Sequence, residues 1–146
     1  MGLGSRSTIG RQSLQRLAEE RLKDFEVLCA GKRYAAAIYL GVYAVECLLK
    51  AHVCRALDLD ELPETYRSHH LLTLLLHSGL NRRIQREPAV FENLKKLDGM
   101  WNPADEERNI RYIDDPVRYG ETQASSVRVW MLNPKGGVIT WLRSQL

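Results

Sequence analysis

The first clear pattern of apolar and polar positions lies near the start of the chain, in "GRQSLQRLAEERLKDFEVLCAG". Apolar side chains recur with a helical period at Leu14, Leu22 and Phe25, and charged side chains such as Glu19 occupy the positions between them. This spacing predicts an amphipathic helix with one buried face. Gly31 comes directly after the pattern and is typical of a helix end.

The second pattern, from about Arg33 to Leu57, is apolar nearly all round, which is typical of a central helix. Gly41 within it would let a neighbouring helix approach closely. The uncharged stretch at its start is shorter than the roughly 20 apolar residues that a membrane span needs, and Glu46 and Lys50 interrupt the remainder of the helix. We therefore expect the most buried helix of the domain and no membrane association.

Shorter elements come after the loop "DLDELPETYRS". The stretch "HHLLTLLLHSGL" predicts a short apolar helix that ends at its Ser-Gly pair. Pro88 predicts the first turn of another helix, from about 87 to 98. A last helix is expected to start near Glu121, and Asn133 is expected to cap a restarted final helix.

These elements together predict an all-α fold, an up-and-down bundle of four to five helices. Strand-like alternation of useful length is absent from the sequence. The 146 residues favour a single domain. We place this domain at residues 9–146, after a flexible lead-in at residues 1–8.

Composition narrows the class of protein. A net charge of +3 permits a nucleic-acid partner without indicating one. The three cysteines form no CxxC pair and no secretory signal precedes them, so we expect reduced thiols, a cytoplasmic protein and no zinc site. The glycine-rich loop before a Lys-Ser or Lys-Thr pair, which marks a nucleotide-phosphate and magnesium site, is also missing from the sequence. We therefore expect no metal and no cofactor.

The segment "RNIRYIDDPVRYG" contains two Arg-Tyr pairs, Arg111-Tyr112 and Arg118-Tyr119. An arginine fork matches phosphate geometry, and a tyrosine ring can stack on a base. Residues 114–116, Asp-Asp-Pro, predict a turn rather than a metal site. Two interpretations stay open: the segment grips a phosphate or a base, or it pins a loop to its own protein.

Glu46 is a lone carboxylate in the helix that we expect to be most buried. A buried, unpaired carboxylate is costly, so a partner is predicted. Lys50, one turn later, is one candidate. Arg111 is the other, in which case Glu46 would orient an arginine of a functional site.

The second helix, "YAAAIYLGVYAVECLLKAHVCR", together with the later "LPETYRSHHLLTLL", Trp101 and "RY", resembles the HEPN domain family. Many members of that family have a central helix of the form AxYLAxYAxECxLKA, a His near the start of the next helix, and a W…RY segment. The resemblance covers roughly residues 14 to 145. It implies an up-and-down helical bundle that is usually homodimeric.

The resemblance also implies one of two roles. Many members are metal-independent ribonucleases, often toxins encoded beside a nucleotidyltransferase-like antitoxin, and others are binding modules without catalysis. The ribonucleases carry an Arg and, four to six residues later, a His, and that motif is absent from this chain. We expect a homodimer that binds RNA or nucleotide, as the ribonuclease of a toxin–antitoxin or defence pair. The alternative is a non-catalytic module that binds a nucleotide or a nucleotidyltransferase-like partner.

The same resemblance implies roles for individual residues. Arg111 would stabilise the charge that develops on a cleaved phosphate, and Tyr112, with Glu46 behind it, would stand where other members place His. For the histidine pair at positions 69 and 70, capping or packing of the third helix is the alternative to a functional role. The side chains expected to contact RNA or nucleotide are Arg108, Arg111, Lys50 and His70.

Overall fold

The computed structural model describes residues 9–104, 106–113 and 118–146, which fold mainly into helices. The α-helices of this described part are α1 (Arg11–Ala30), α2 (Tyr34–Ala56), α3 (Leu71–His77), α4 (Asn81–Ile84), α5 (Pro88–Trp101), α6 (Glu121–Leu132) and α7 (Val138–Ser144). Short 3₁₀ turns are formed by Glu64–Tyr66, Glu106–Arg108 and Ile110–Tyr112. The all-α prediction is confirmed. The expected lead-in at 1–8 and turn at 114–116 lie outside the described residues.

The antiparallel pair α1 and α2 forms the core of the bundle. The face of α1 predicted to be apolar is buried, with Leu14, Leu22 and Phe25 exposed by 7% or less. In α2 every residue from 44 to 54 is buried. A Cβ atom at Gly41 would lie 2.9 Å from the terminal methyl carbon of a methionine in α6, so this glycine does permit a close helix–helix approach.

The helix α2 is long and apolar enough to meet the length and hydropathy criteria for a membrane span. However, 83% of its most apolar 18-residue window is buried inside the bundle. Burial among its own neighbours accounts for this hydropathy, as the charges at Glu46 and Lys50 had indicated.

The turn between α1 and α2 places two cations side by side. Gly31 directly succeeds the last residue of α1, as predicted, but the left-handed conformation falls on Lys32, with φ of 57°. The N–H of Arg33 then donates to the carbonyl of Leu28 at 2.8 Å, which closes the helix end. A non-glycine residue in this conformation carries backbone strain.

The remaining helices are arranged around α2. Three of them, α3, α6 and α7, pack directly against it, and α5 packs against α6. Pro88 is the first residue of α5, as predicted, because its fixed φ suits that position. The helix continues three residues beyond the expected end at 98, so that Trp101 lies in its last turn and is 1% exposed.

The prediction that Asn133 caps the final helix is wrong. The residue that precedes α7 is Gly137, with an extended backbone. The side chain of Asn133 instead accepts a hydrogen bond from the N–H of Lys135 at 2.8 Å. A short polar side chain next to a proline can stabilise the turn between two helices as readily as it can cap the second helix.

Polar side chains hold α7 against the end of α2. His52, which is 2% exposed, donates through Nε2 to the carbonyl of Leu142 at 2.9 Å. Arg55 donates to the carbonyl of Gln145, and Arg83 donates to the side chain of Gln145 at 3.2 Å. Burial is the main cause that lowers the pKa of His52, which therefore packs as a neutral core residue.

Candidate functional site

Glu46 is fully buried and accepts hydrogen bonds from three side chains. Lys50 Nζ and Trp101 Nε1 each lie 2.7 Å from one of its two oxygens, and His69 Nδ1 lies 3.0 Å from Oε2. Their hydrogen bonds offset the free-energy cost of removing the carboxylate from water. The predicted pairing with Lys50 is confirmed, whereas Arg111 is not among the partners of Glu46 in the described part of the chain.

Trp101 connects Glu46 to Arg111. The hydrogen bond to Glu46 fixes one edge of the indole, and the guanidinium carbon of Arg111 lies 4.1 Å from the centre of the ring. Tyr39 contacts the same indole, with ring centres 5.2 Å apart. A guanidinium above a fixed indole gains cation–π and stacking stabilisation. The expectation that Glu46 orients Arg111 by direct contact is therefore corrected: Glu46 binds Trp101, and Trp101 contacts Arg111.

One donor of the Arg111 guanidinium has no partner in the part of the chain that the structure describes. Arg111 lies in the 3₁₀ turn Ile110–Tyr112, and its backbone N–H donates to the side chain of Asn109 at 3.0 Å. Its Nη2 atom is buried and has no hydrogen-bond partner among the described residues. A buried donor without an acceptor is costly, so a ligand oxygen at this atom would gain the missing hydrogen bond.

A cleft of about 520 Å³ lies between the start of α2 and the 3₁₀ turn that contains Arg111. Its apolar lining residues include two alanines of α2 and two isoleucines, Ile110 and Ile113. None of the described residues that line it is acidic. Its cations and aromatic residues are Lys32, Arg33, Arg111, Tyr34, Tyr39 and Tyr119. Positive charge beside aromatic rings suits an anionic ligand that carries a planar base.

The two Arg-Tyr pairs each contribute one residue to this cleft. Arg111 comes from the first pair and Tyr119 from the second. Tyr112 is 76% exposed, and Arg118 is exposed and donates to the backbone carbonyl of Glu107 at 3.4 Å. Tyr112 therefore does not lie where an acid–base group of the cleft would have to be.

Three other residues expected at the site do not line the cleft as far as the described residues show. Arg108 is exposed at the end of its own 3₁₀ turn, and Lys50 is held by Glu46. His70 directly precedes α3, but the first N–H of that helix is capped by the Asp98 side chain, at 2.9 Å. The histidine that contacts Glu46 is its neighbour, His69.

Sequence reasoning missed Lys32 and Arg33, and it named Trp101 and His69 without connecting them to Glu46. Lys32 and Arg33 stand together directly after a helix stop, and this was a signal that a helix junction would carry positive charge. Trp101 and His69 could have been sought as donors for Glu46, because a buried carboxylate requires donors and an indole N–H can only donate.

The described residues contain no group of three or more His, Cys, Asp or Glu side chains arranged to hold a metal ion. All three cysteines are free thiols. Burial, reinforced by the negative charge of Glu46, raises the pKa of Cys47 to about 11. This thiol next to Glu46 is therefore a packing group rather than a nucleophile at neutral pH.

A comparison with protein families assigns the chain. A family model described as HEPN domain matches residues 12–124, which reach from α1 into the first turn of α6. The matched segment contains Glu46, His69, Trp101 and Arg111. Neither the curated proteins nor the solved structures include a significant match. Because the match covers well over half of the chain, this protein belongs to the HEPN domain family.

Proposed function

We propose that this HEPN domain binds the phosphate of an RNA strand or of a free nucleotide in the cleft at Arg111. Family membership supports a nucleotide-related, RNA-related or toxin-like module in general. The observation that carries the finer proposal is the buried Nη2 of Arg111, which has no partner among the described residues although Trp101 fixes the guanidinium. A fixed guanidinium with an unused donor suits a phosphate oxygen.

The surroundings of Arg111 support the same ligand class. Lys32 and Arg33 add positive charge to the cleft, which compensates a phosphate or an RNA backbone. Tyr39 and Tyr119 supply aromatic faces on which a base can stack. The volume of about 520 Å³ falls within the roughly 300–1,000 Å³ that is usual for small-ligand sites, so one nucleotide unit fits.

The proposal extends to assembly and cellular role. HEPN domains commonly dimerise, and we propose a homodimer of this chain in the cytoplasm. If the domain cleaves RNA, it would be the ribonuclease of a toxin–antitoxin or defence pair. The alternative role is a non-catalytic module that binds a nucleotide or a nucleotidyltransferase-like partner and uses the same cleft without cleaving RNA.

Fluorescence anisotropy of a labelled single-stranded RNA tests the binding proposal. Arg111→Ala should weaken RNA binding at least tenfold, because it removes a charge-assisted contact worth about 1.4 kcal/mol or more. Arg118→Ala is the matched control from the second Arg-Tyr pair, and it should stay within about twofold of the unmodified protein. Competition by unlabelled nucleoside mono- and triphosphates separates a free nucleotide from RNA as the preferred ligand.

Two results would contradict the proposal. The first is saturable RNA or nucleotide binding that is equal in the unmodified protein and Arg111→Ala. The second is the absence of binding by the folded protein to RNA and to every nucleotide tested. Melting curves of each variant confirm that lost binding does not reflect lost folding.

A further inference from the structure

His69 is not among the described residues that line the cleft, but Glu46 and Trp101 join it to Arg111. Its Nδ1 is 3.0 and 3.1 Å from the two oxygens of Glu46, which is fully buried. Its carbonyl accepts a hydrogen bond from the Asn102 side chain at 2.7 Å. Nevertheless, 60% of the His69 side chain is exposed to solvent. The ring is thus held in place on one edge and accessible on the rest.

This geometry selects one chemical form of the imidazole. Because a carboxylate can only accept, the proton of a neutral ring sits on Nδ1, facing Glu46. The other nitrogen, Nε2, then carries a lone pair and can accept a proton. A carboxylate that fixes tautomer and orientation in this way is the arrangement by which hydrolytic enzymes prepare a histidine base.

Glu46 and Trp101 together join His69 to Arg111. One oxygen of Glu46 binds both His69 and the N–H of Trp101, and the Arg111 guanidinium lies over the ring of that indole. The two donors lie 3.0 and 2.7 Å from that oxygen, and the guanidinium carbon lies 4.1 Å from the centre of the indole ring. One continuous set of contacts therefore holds the imidazole and the guanidinium in fixed positions relative to each other.

We propose that His69 is the general base for cleavage of an RNA strand whose phosphate is held by Arg111, an inference that rests on the proposed binding function. Nε2 of His69 takes the proton of the 2′-hydroxyl, and the 2′-oxygen attacks the adjacent phosphorus. The bond from phosphorus to the 5′-oxygen breaks, and that oxygen receives a proton from the imidazolium. The products are a 2′,3′-cyclic phosphate and a 5′-hydroxyl end, so that no water or further reactant is consumed.

The contacts of each group determine the role assigned to it. Arg111 binds the phosphate and stabilises the extra negative charge of the pentacovalent intermediate. Glu46 is a positioning residue, since it is buried and acts through His69 and Trp101. His69 thereby supplies, from the loop before α3, the base that the absent Arg–His motif supplies in ribonuclease members of the family.

The test uses the full chain, a single-stranded RNA oligomer and EDTA. His69→Ala should lower the cleavage rate by about 10²–10⁴-fold, the usual contribution of a general base, while RNA affinity stays within about threefold. His69→Asn keeps a donor for Glu46 without a base, and it should be equally inactive but better folded. Added imidazole should restore part of the rate of His69→Ala, which a purely structural role would not produce.

His70→Ala is the matched control, because this exposed neighbour has no contact with Glu46 among the described residues, and it should cleave normally. An oligomer with one 2′-deoxynucleotide should stay intact at that linkage. Cleavage that persists in His69→Asn, or RNA that the unmodified protein binds but does not cut, would overturn the inference and leave the binding proposal standing. Absence of RNA and nucleotide binding would instead refute the binding proposal.

Discussion

Replacing Glu46 with alanine should destabilise this domain far more than replacing an exposed member of another ion pair. The Glu46 side chain is 0% exposed and that of Lys50 only 10%, and the pair is 2.7 Å apart. The substitution leaves a buried ammonium and the Trp101 N–H without their acceptor. Breaking a buried pair from one side costs about 3–5 kcal/mol, which for this length lowers Tm by about 10 °C.

Glu19 provides the control, because it pairs with Arg143 at a similar distance of 2.6 Å but the two side chains are 47% and 42% exposed. Glu19→Ala should cost less than about 1 kcal/mol. Urea denaturation monitored by circular dichroism measures both variants. Adding Lys50→Met to Glu46→Ala should recover part of the loss, because it removes the uncompensated charge. Equal destabilisation by Glu46→Ala and Glu19→Ala would refute this account of the buried cluster.

Three further substitutions test the fold and its connection to the cleft. Lys32→Gly should relieve the backbone strain of φ 57° and stabilise the domain by about 1 kcal/mol, while the lost charge weakens RNA binding. Asp58→Gly is the control, because Asp58 has a similar φ of 53° but does not line the cleft, and it should leave RNA binding unchanged. Melting curves measure the stability of both variants, and fluorescence anisotropy measures their RNA binding. Gly41→Ala should cost about 1–3 kcal/mol in urea denaturation, because side-chain atoms lie at 2.9 and 3.0 Å from the added Cβ, whereas Gly99→Ala meets nothing within 4 Å and should be neutral or stabilising. Because the pKa of His52 is lowered in the folded protein, the unfolded chain binds this proton at a higher pH than the folded chain does. The free energy of unfolding should therefore fall as the pH drops below about 6.5. Urea midpoints measured at two pH values should show a smaller decrease for His52→Gln than for the unmodified protein.

The helices could be predicted because their signal is local. The apolar period around Leu14 and Phe25 and the continuous apolar run of α2 each depend on neighbours within a few turns. The pair of Glu46 and Lys50 was predictable for the same reason, since residues four apart on a helix are adjacent. The misassigned cap at Asn133 shows the limit of local reasoning, because one short side chain serves a turn and a helix start equally well.

The site could be predicted only in part, because it is assembled from distant segments. Trp101 reaches Glu46 across 55 positions of the chain, and its own position depends on how far α5 extends beyond residue 98. The choice between His69 and His70 depends on where α3 begins, to within one residue. The sequence also does not show which residue of each Arg-Tyr pair lines the cleft, because a loop has no periodic pattern from which its path could be predicted.

The most direct test of the central claim is a crystal structure of the protein with a short single-stranded RNA bound. We predict a phosphate oxygen about 2.7–2.9 Å from Nη2 of Arg111, with a base against a tyrosine of the cleft. RNA bound to another surface, with Arg111 still stacked on Trp101 and its Nη2 still without a ligand, would contradict the claim.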